Sequence, residues 1–140
     1  MPALLLLAAL ALAACDSTPA LLPPGDARGE GELALTTDRD AYVRGAAIGL
    51  RLVNTHAERV TTGVLECASL EAWDGEAWAP ARERFGRVCI EIAVVLGPGE
   101  RLRGAIEPVV AQGGIYRAVH TGWTDDGRAV RGLSPPFQIR

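Results

Sequence analysis

Between its Gly, Pro and Asp-Gly punctuation, this chain alternates apolar and polar residues at every second position, and that period builds strands rather than helices. Leu33 and Leu35 alternate with polar neighbours in a first strand that closes at Thr37-Asp38-Arg39-Asp40. Ile48, Leu50 and Leu52 mark a second, ended by Asn54-Thr55, and a third is expected over residues 62–73. Asp74-Gly75 is a two-residue hairpin signal, because both positions tolerate positive φ. Residues 76–79 then return as a short strand stopped by Pro80. A charged, irregular loop over 81–87 leads to a strand over 88–96 and the turn Gly97-Pro98-Gly99. Residues 101–107 point Arg outward and Leu102 and Ile106 inward. Gln112-Gly113-Gly114 precedes a long strand through Trp123, which Asp126-Gly127 turns into a last strand ending at Phe137-Gln138-Ile139. The sum is an all-β antiparallel β-sandwich of about seven to nine strands. No amphipathic helix of useful length and no internal repeat follows residue 15.

The start of the chain obeys a different rule. Residues 3–14 are an unbroken run of Ala and Leu. Such a run is too short for a transmembrane helix, which needs roughly 20 apolar residues. It suits a signal-peptide core of about 7 to 15. Its end, Leu12-Ala13-Ala14-Cys15, resembles the lipobox of bacterial lipoproteins, although Met1-Pro2 supplies none of the usual positive charge. The resemblance implies a signal peptide over 1–14, removed before Cys15. It also implies a diacylglyceryl group on the Cys15 thiol, and a palmitate-like chain on the new amine. Two or three acyl chains anchor a protein stably where one is marginal. Residues 15–31 then hold Pro19, Pro23, Pro24, Gly25, Gly29 and Gly31 without periodicity, the composition of a flexible tether. The sandwich occupies 32–140. The implied location is the cell envelope, on the extracytoplasmic side of a membrane. Asp16 is similar to the inner-membrane retention signal of some Gram-negative lipoproteins.

Once Cys15 carries lipid, Cys67 and Cys89 are the two remaining of three cysteines. In an oxidising compartment two such thiols are expected to pair; two free buried thiols are the alternative. A bridge across their 22-residue separation is worth roughly 3 kcal/mol in the chain-entropy model. In 140 residues, one small domain gains much from such a staple. The net charge of −3, with every basic residue an arginine, argues against nucleic acid as a partner, since phosphate recognition needs a basic face.

Four local patterns resemble bacterial immunoglobulin-like (Big-type) domains. Asp40-Ala41-Tyr42-Val43-Arg44-Gly45, followed by the Ile48-Leu50-Leu52-Asn54 strand, looks like their opening unit. Leu96-Gly97-Pro98-Gly99-Glu100 is similar to their Pro-Gly-Glu turn. Gly114-Ile115-Tyr116-Arg117 and Ser134-Pro135-Pro136-Phe137 resemble the entries to their last two strands. The likeness spans residues 32–140 and implies an immunoglobulin-like sandwich. It implies a tyrosine corner at Tyr116, its hydroxyl bonding upstream backbone. Where antibody domains place a cysteine two residues later, this chain has Ala118, so a Cys67–Cys89 bridge is a different staple.

Residues for catalysis are scarce. His56 and His120 are the two histidines, and no spacing motif joins them to a metal-ligand set. No Gly-x-Ser-x-Gly elbow is present, and Asp125-Asp126 reads as a hairpin tip rather than a calcium site. We therefore expect no enzyme, no metal and no cofactor. Trp73 and Trp78 flank the Asp74-Gly75 turn and, with Arg82, Arg84 and Arg87 of the following loop, form a candidate binding surface. The expected function is a membrane-anchored, non-catalytic binding or accessory module, its partner an envelope protein or other extracytoplasmic ligand. The alternative is an immunoglobulin-like proteinase inhibitor that presents the 81–87 loop to an enzyme cleft.

Overall fold

A computed structural model describes residues 30–84 and 86–140. The leader, Cys15 and the tether up to residue 29 lie outside them. The described chain is all-β: twelve strand segments in two sheets, more than the seven to nine expected because several long runs are broken.

The smaller sheet is antiparallel and holds β2 (Ala34–Thr37), β4 (Ile48–Val53) and β9 (Arg101–Ile106), with β4 central. Its inward residues Leu35, Ile48, Leu50, Leu52 and Ile106 are buried, as the alternation predicts. The larger sheet has nine strands built around β10 (Gly114–Thr124). Along one side of β10 run β12 (Phe137–Ile139), paired with its start, and β11 (Ala129–Leu133), paired with its end. Outside these lie β3 (Ala41–Tyr42), parallel to β12, and β1 (Glu30–Gly31), antiparallel to β11. Along the other side, β6 (Ser69–Trp73) pairs with residues 116–119 and β5 (Val60–Thr62) with residues 122–124. β7 (Trp78–Pro80) and β8 (Val94–Leu96) extend them outward. Val60, Leu70, Tyr116, Ala118, Val130, Phe137 and Ile139 from this sheet close one core with the smaller one.

Three expected strands are corrected. The 62–73 run is two strands, because the chain leaves the sheet at Gly63 and makes a single 3-10 turn, Leu65–Cys67, before re-entering at Ser69. That turn drives Leu65 to full burial against β9. A Cβ on Gly104 would stand 2.8 Å from the Leu65 Cβ, so the close approach requires glycine there. The strand after Asp126-Gly127 is also two, split where Pro135-Pro136 cannot donate to a ladder. Ser134 covers the break: its N–H donates to Ala118 O and its Oγ accepts from Ala118 N, both near 2.9 Å. Finally, only Val94–Leu96 of the 88–96 run pairs with another strand.

The Asp74-Gly75 turn is also wider than two residues. Asp74 N donates to Ala77 O, Gly75 takes φ 107°, and the Asp74 carboxylate accepts from Ala77 N and Glu76 N. Those two amides hold its carboxyl below the usual carboxylate range.

Tyr116 forms the expected corner. Its ring is buried and its hydroxyl donates to Gln112 O at 2.7 Å, while burial pushes its pKa up. Asn54, at the end of β4, is fully buried and saturated. Its Nδ2 donates to Glu58 O (2.8 Å) and Leu96 O (3.0 Å), and its Oδ1 accepts from His56 N (2.9 Å). Its backbone ties to Glu100 O and Gly99 N, so one side chain joins two loops to the sheet.

Candidate functional site

The staple exists as expected: Cys67 and Cys89 are disulfide-bonded. It joins the 3-10 turn to the segment after the charged loop and draws that segment off the sheet. The loop itself is held by Arg87. Its guanidinium makes a bidentate pair with Glu83 (2.8 Å each) and donates to Glu66 O (3.0 Å) and Ala68 O (2.6 Å). Arg84 N donates to Val109 O, and Glu83 bridges to Val110. Arg87 is therefore spent on holding the loop, while Arg82 and Arg84 stay exposed.

Trp73 and Trp78 face each other across the β6–β7 hairpin with ring centroids 5.4 Å apart. Both are half-buried, and the Arg117 guanidinium lies 4.4 Å over the Trp78 ring while pairing with Glu71 at 2.6 Å. Arg131 takes the other Glu71 oxygen at 3.3 Å. The two parts of the candidate surface are not brought together. The tryptophans sit at the Trp73 end of β6 and Arg87 at its Ala68 end, about 16 Å apart at strand rise.

The structure instead opens a site that the sequence did not announce. Because β5 and β6 pair with different halves of β10, the sheet forks, and His120 and Thr121 have no strand beside them on that side. A cleft of about 550 Å³ lies at the fork, within the size range of small-ligand pockets. Val119, Thr121 and Trp123 of β10, the two disulfide cysteines and Ile92 are among the residues that line it. Ile92 and Trp123 in its lining are exposed, and so are Val88, Ile90 and Val95 on the adjoining segment, Val88 at 90% and Ile90 at 68%. Of residues 88–93, none belongs to a strand. Strand periodicity points such side chains toward a sheet, so their exposure was hidden from the pattern.

At the base of the fork His120 is 5% exposed. Its Nε2 lies 2.7 Å from Thr62 Oγ1 and 3.1 Å from Gly63 O. The Thr62 hydroxyl has one proton, and Thr121 O lies 3.0 Å away to receive it. That network assigns the imidazole proton to Nε2, shared between Gly63 O and Thr62 Oγ1. The ring is then a donor to Thr62, not its base, and the hydroxyl is not activated as a nucleophile. Desolvation pushes the His120 pKa below its ordinary 6.5.

Because the unfolded chain binds that proton more readily, stability is complete above pH 6.5 and declines as the pH falls below it. Denaturant titrations between pH 8 and 5 are expected to show this decline, and His120→Gln to flatten it. An equally steep slope in the variant would assign the loss elsewhere. The lowered carboxyls of Asp38, Asp74 and Asp126 act only in a more acidic window, below their ordinary 3.8.

The remaining candidates are structural. Asp126 accepts from the Thr124 hydroxyl and from Arg128 N, and Asp125 pairs with Arg59 at 3.0 Å. His56 packs beside Asn54 with a buried Nε2. Among the described residues, no three His, Cys, Asp or Glu side chains are grouped to hold a metal ion. No protein-family model matches the sequence, and a search of curated proteins finds no relative.

Proposed function

We propose that this chain is a lipid-anchored, non-catalytic binding module of the bacterial cell envelope, held at a membrane through Cys15, that engages a partner protein at the fork cleft and its apolar rim. One observation carries the choice of surface. Five of the seven large apolar side chains exposed among the described residues lie in or beside the segments that line one cleft, and soluble monomers seldom leave such a patch bare. The saturated hydrogen bonding of His120 and Thr62 favours binding over chemistry at this site.

Two measurements test the reading. Cys15→Ser is expected to move the protein from the membrane fraction to the soluble one, and the mature wild-type chain to carry diacylglyceryl and acyl mass on Cys15. An unmodified mature terminus would remove the anchor. A photo-crosslinking residue at Ile92 is expected to yield a discrete partner adduct in cells that one at Arg84 does not.

The inhibitor reading retains one supporting observation. The 81–87 loop is clamped by Arg87 and the disulfide while Arg82 and Arg84 stay exposed, which is how a loop is held rigid for an enzyme cleft. Adducts formed through Arg84, with inhibition of a trypsin-like protease, would favour it.

A further inference from the structure

The outer face of the smaller sheet carries an arrangement that strand pairing alone does not explain. In its register Thr36, Arg51 and Arg103 lie side by side across the three strands, and Val53 pairs with Arg101 one row on. Arg51 and Arg103 are thus directly opposed, with Cβ atoms about 5 Å apart, and Arg101 is diagonal to Arg51. Like charges in this relation destabilise a sheet. All three are exposed, and among the described residues none has an acidic partner within 4 Å. In the outward row of Arg101, Arg103 and Ala105 the exposed Glu107 follows β9, and Asp38 lies over Gly49 at one end of the face. Its carboxylate accepts from Tyr42 Oη (2.5 Å) and Gly49 N (3.0 Å) and stands 3.8 Å from Arg39. Glu32, at the other end, pairs with Arg128 at 2.5 Å. A chain with net charge −3 therefore gathers three guanidinium groups on one face, where Arg51 and Arg103 line a hollow of about 390 Å³ with Thr36, Asp38 and Gly49.

We infer that this face is a docking surface for the anionic phospholipid headgroups of the membrane to which Cys15 tethers the domain. The inference rests on the anchor proposed above. Charge complementarity selects an anion, and the lack of an aromatic or large aliphatic anchor favours a lipid surface over a protein. Around the arginines stand Ala34, Thr36, Gly49, Val53 and Ala105, of which the half-buried Val53 is the one branched aliphatic. Long guanidinium side chains over such residues match diffuse negative charge, where each Arg contributes independently. The distance allows it. The fifteen residues from Cys15 to the first strand span at most about 50 Å extended and about 20 Å as a flexible coil, so either face of a small domain can reach the bilayer.

The test uses the mature chain carrying Cys15→Ser, so that no acyl chain contributes. At low salt it is expected to sediment with phosphatidylglycerol-rich vesicles, to ignore phosphatidylcholine vesicles, and to be released by added salt. Arg51→Gln with Arg101→Gln and Arg103→Gln is expected to lower the vesicle partition coefficient on the order of 100-fold. Its melting temperature should be unchanged or higher, since opposed like charges are removed. Equal binding to both vesicle types, or undiminished binding by the folded triple variant, would overturn the inference. Retention on immobilised polyglutamate without binding to phosphatidylglycerol vesicles would overturn it too, and point to an acidic protein. These results are independent of whether Cys15 is acylated in cells, so the anchor and the face stand or fall separately.

Discussion

Asn54→Ala is expected to destabilise the domain by about 3 kcal/mol, a larger loss than its exchange of a small polar side chain for a smaller apolar one suggests. The side chain fills three hydrogen bonds, and alanine strands all three partners. Leu96 O is buried, so its loss falls near the upper end of the 1–3 kcal/mol typical of an unsatisfied buried group. Glu58 O and His56 N are half-shielded and recover part of theirs from water. For a domain of this size the loss lowers Tm by about 15 °C, measurable by thermal denaturation. A shift below about 4 °C, near 1 kcal/mol, would mean that water replaces the side chain. The loop over 54–60 and the turn over 97–100 would then be held by backbone alone.

Removing the disulfide, by reduction or by Cys67→Ala with Cys89→Ala, is expected to cost roughly 3 kcal/mol. The structural consequence should be confined. Among the described residues, 88–93 make one backbone hydrogen bond, Ile92 N to Ile90 O, so without the bridge little else holds them over the fork. The preceding loop keeps Arg87 and its bonds to Glu83, Glu66 O and Ala68 O. Hydrogen exchange and proteolysis should therefore quicken over 88–93 while 81–84 stays protected. If both segments loosened together, Arg87 would not be an independent clamp. If neither did, the apolar segment would be seated by packing, and the cleft would be a more rigid site than the hydrogen bonds imply.

Much of the fold was legible because it is local. The strands β2, β4, β9 and β10 follow from alternation, since one buried face imposes a two-residue period. Gly99 and Gly127 take the positive φ that their turns need, and the Tyr116 corner lies where the Gly-x-Tyr-Arg pattern implied. What escaped is non-local. That residues 62–73 would break depends on Leu65 finding a glycine on β9, nearly forty residues later. That 88–93 would leave the sheet depends on a covalent tie to Cys67. The cleft is the joint product of those two departures, so no single stretch of sequence encodes it. The arginine face escaped for the same reason: Arg51 and Arg103 are distant in the chain and become neighbours only through register. Trp73 and Trp78 were rightly read as sharing a face, but Arg117, which covers one of them, comes from a strand forty residues away.

The central position of β10 also governs when this protein can take shape. Eight segments already synthesised or soon to follow depend on that one stretch, directly or through a neighbour, for their ladder partners: β1, β3, β5, β6, β7 and β8 before it, β11 and β12 after it. A polypeptide delivered amino terminus first therefore has about four-fifths of its length in hand before the piece that organises the larger layer arrives. Until then the larger layer cannot close, a condition that would suit the export implied by the lipid anchor proposed above.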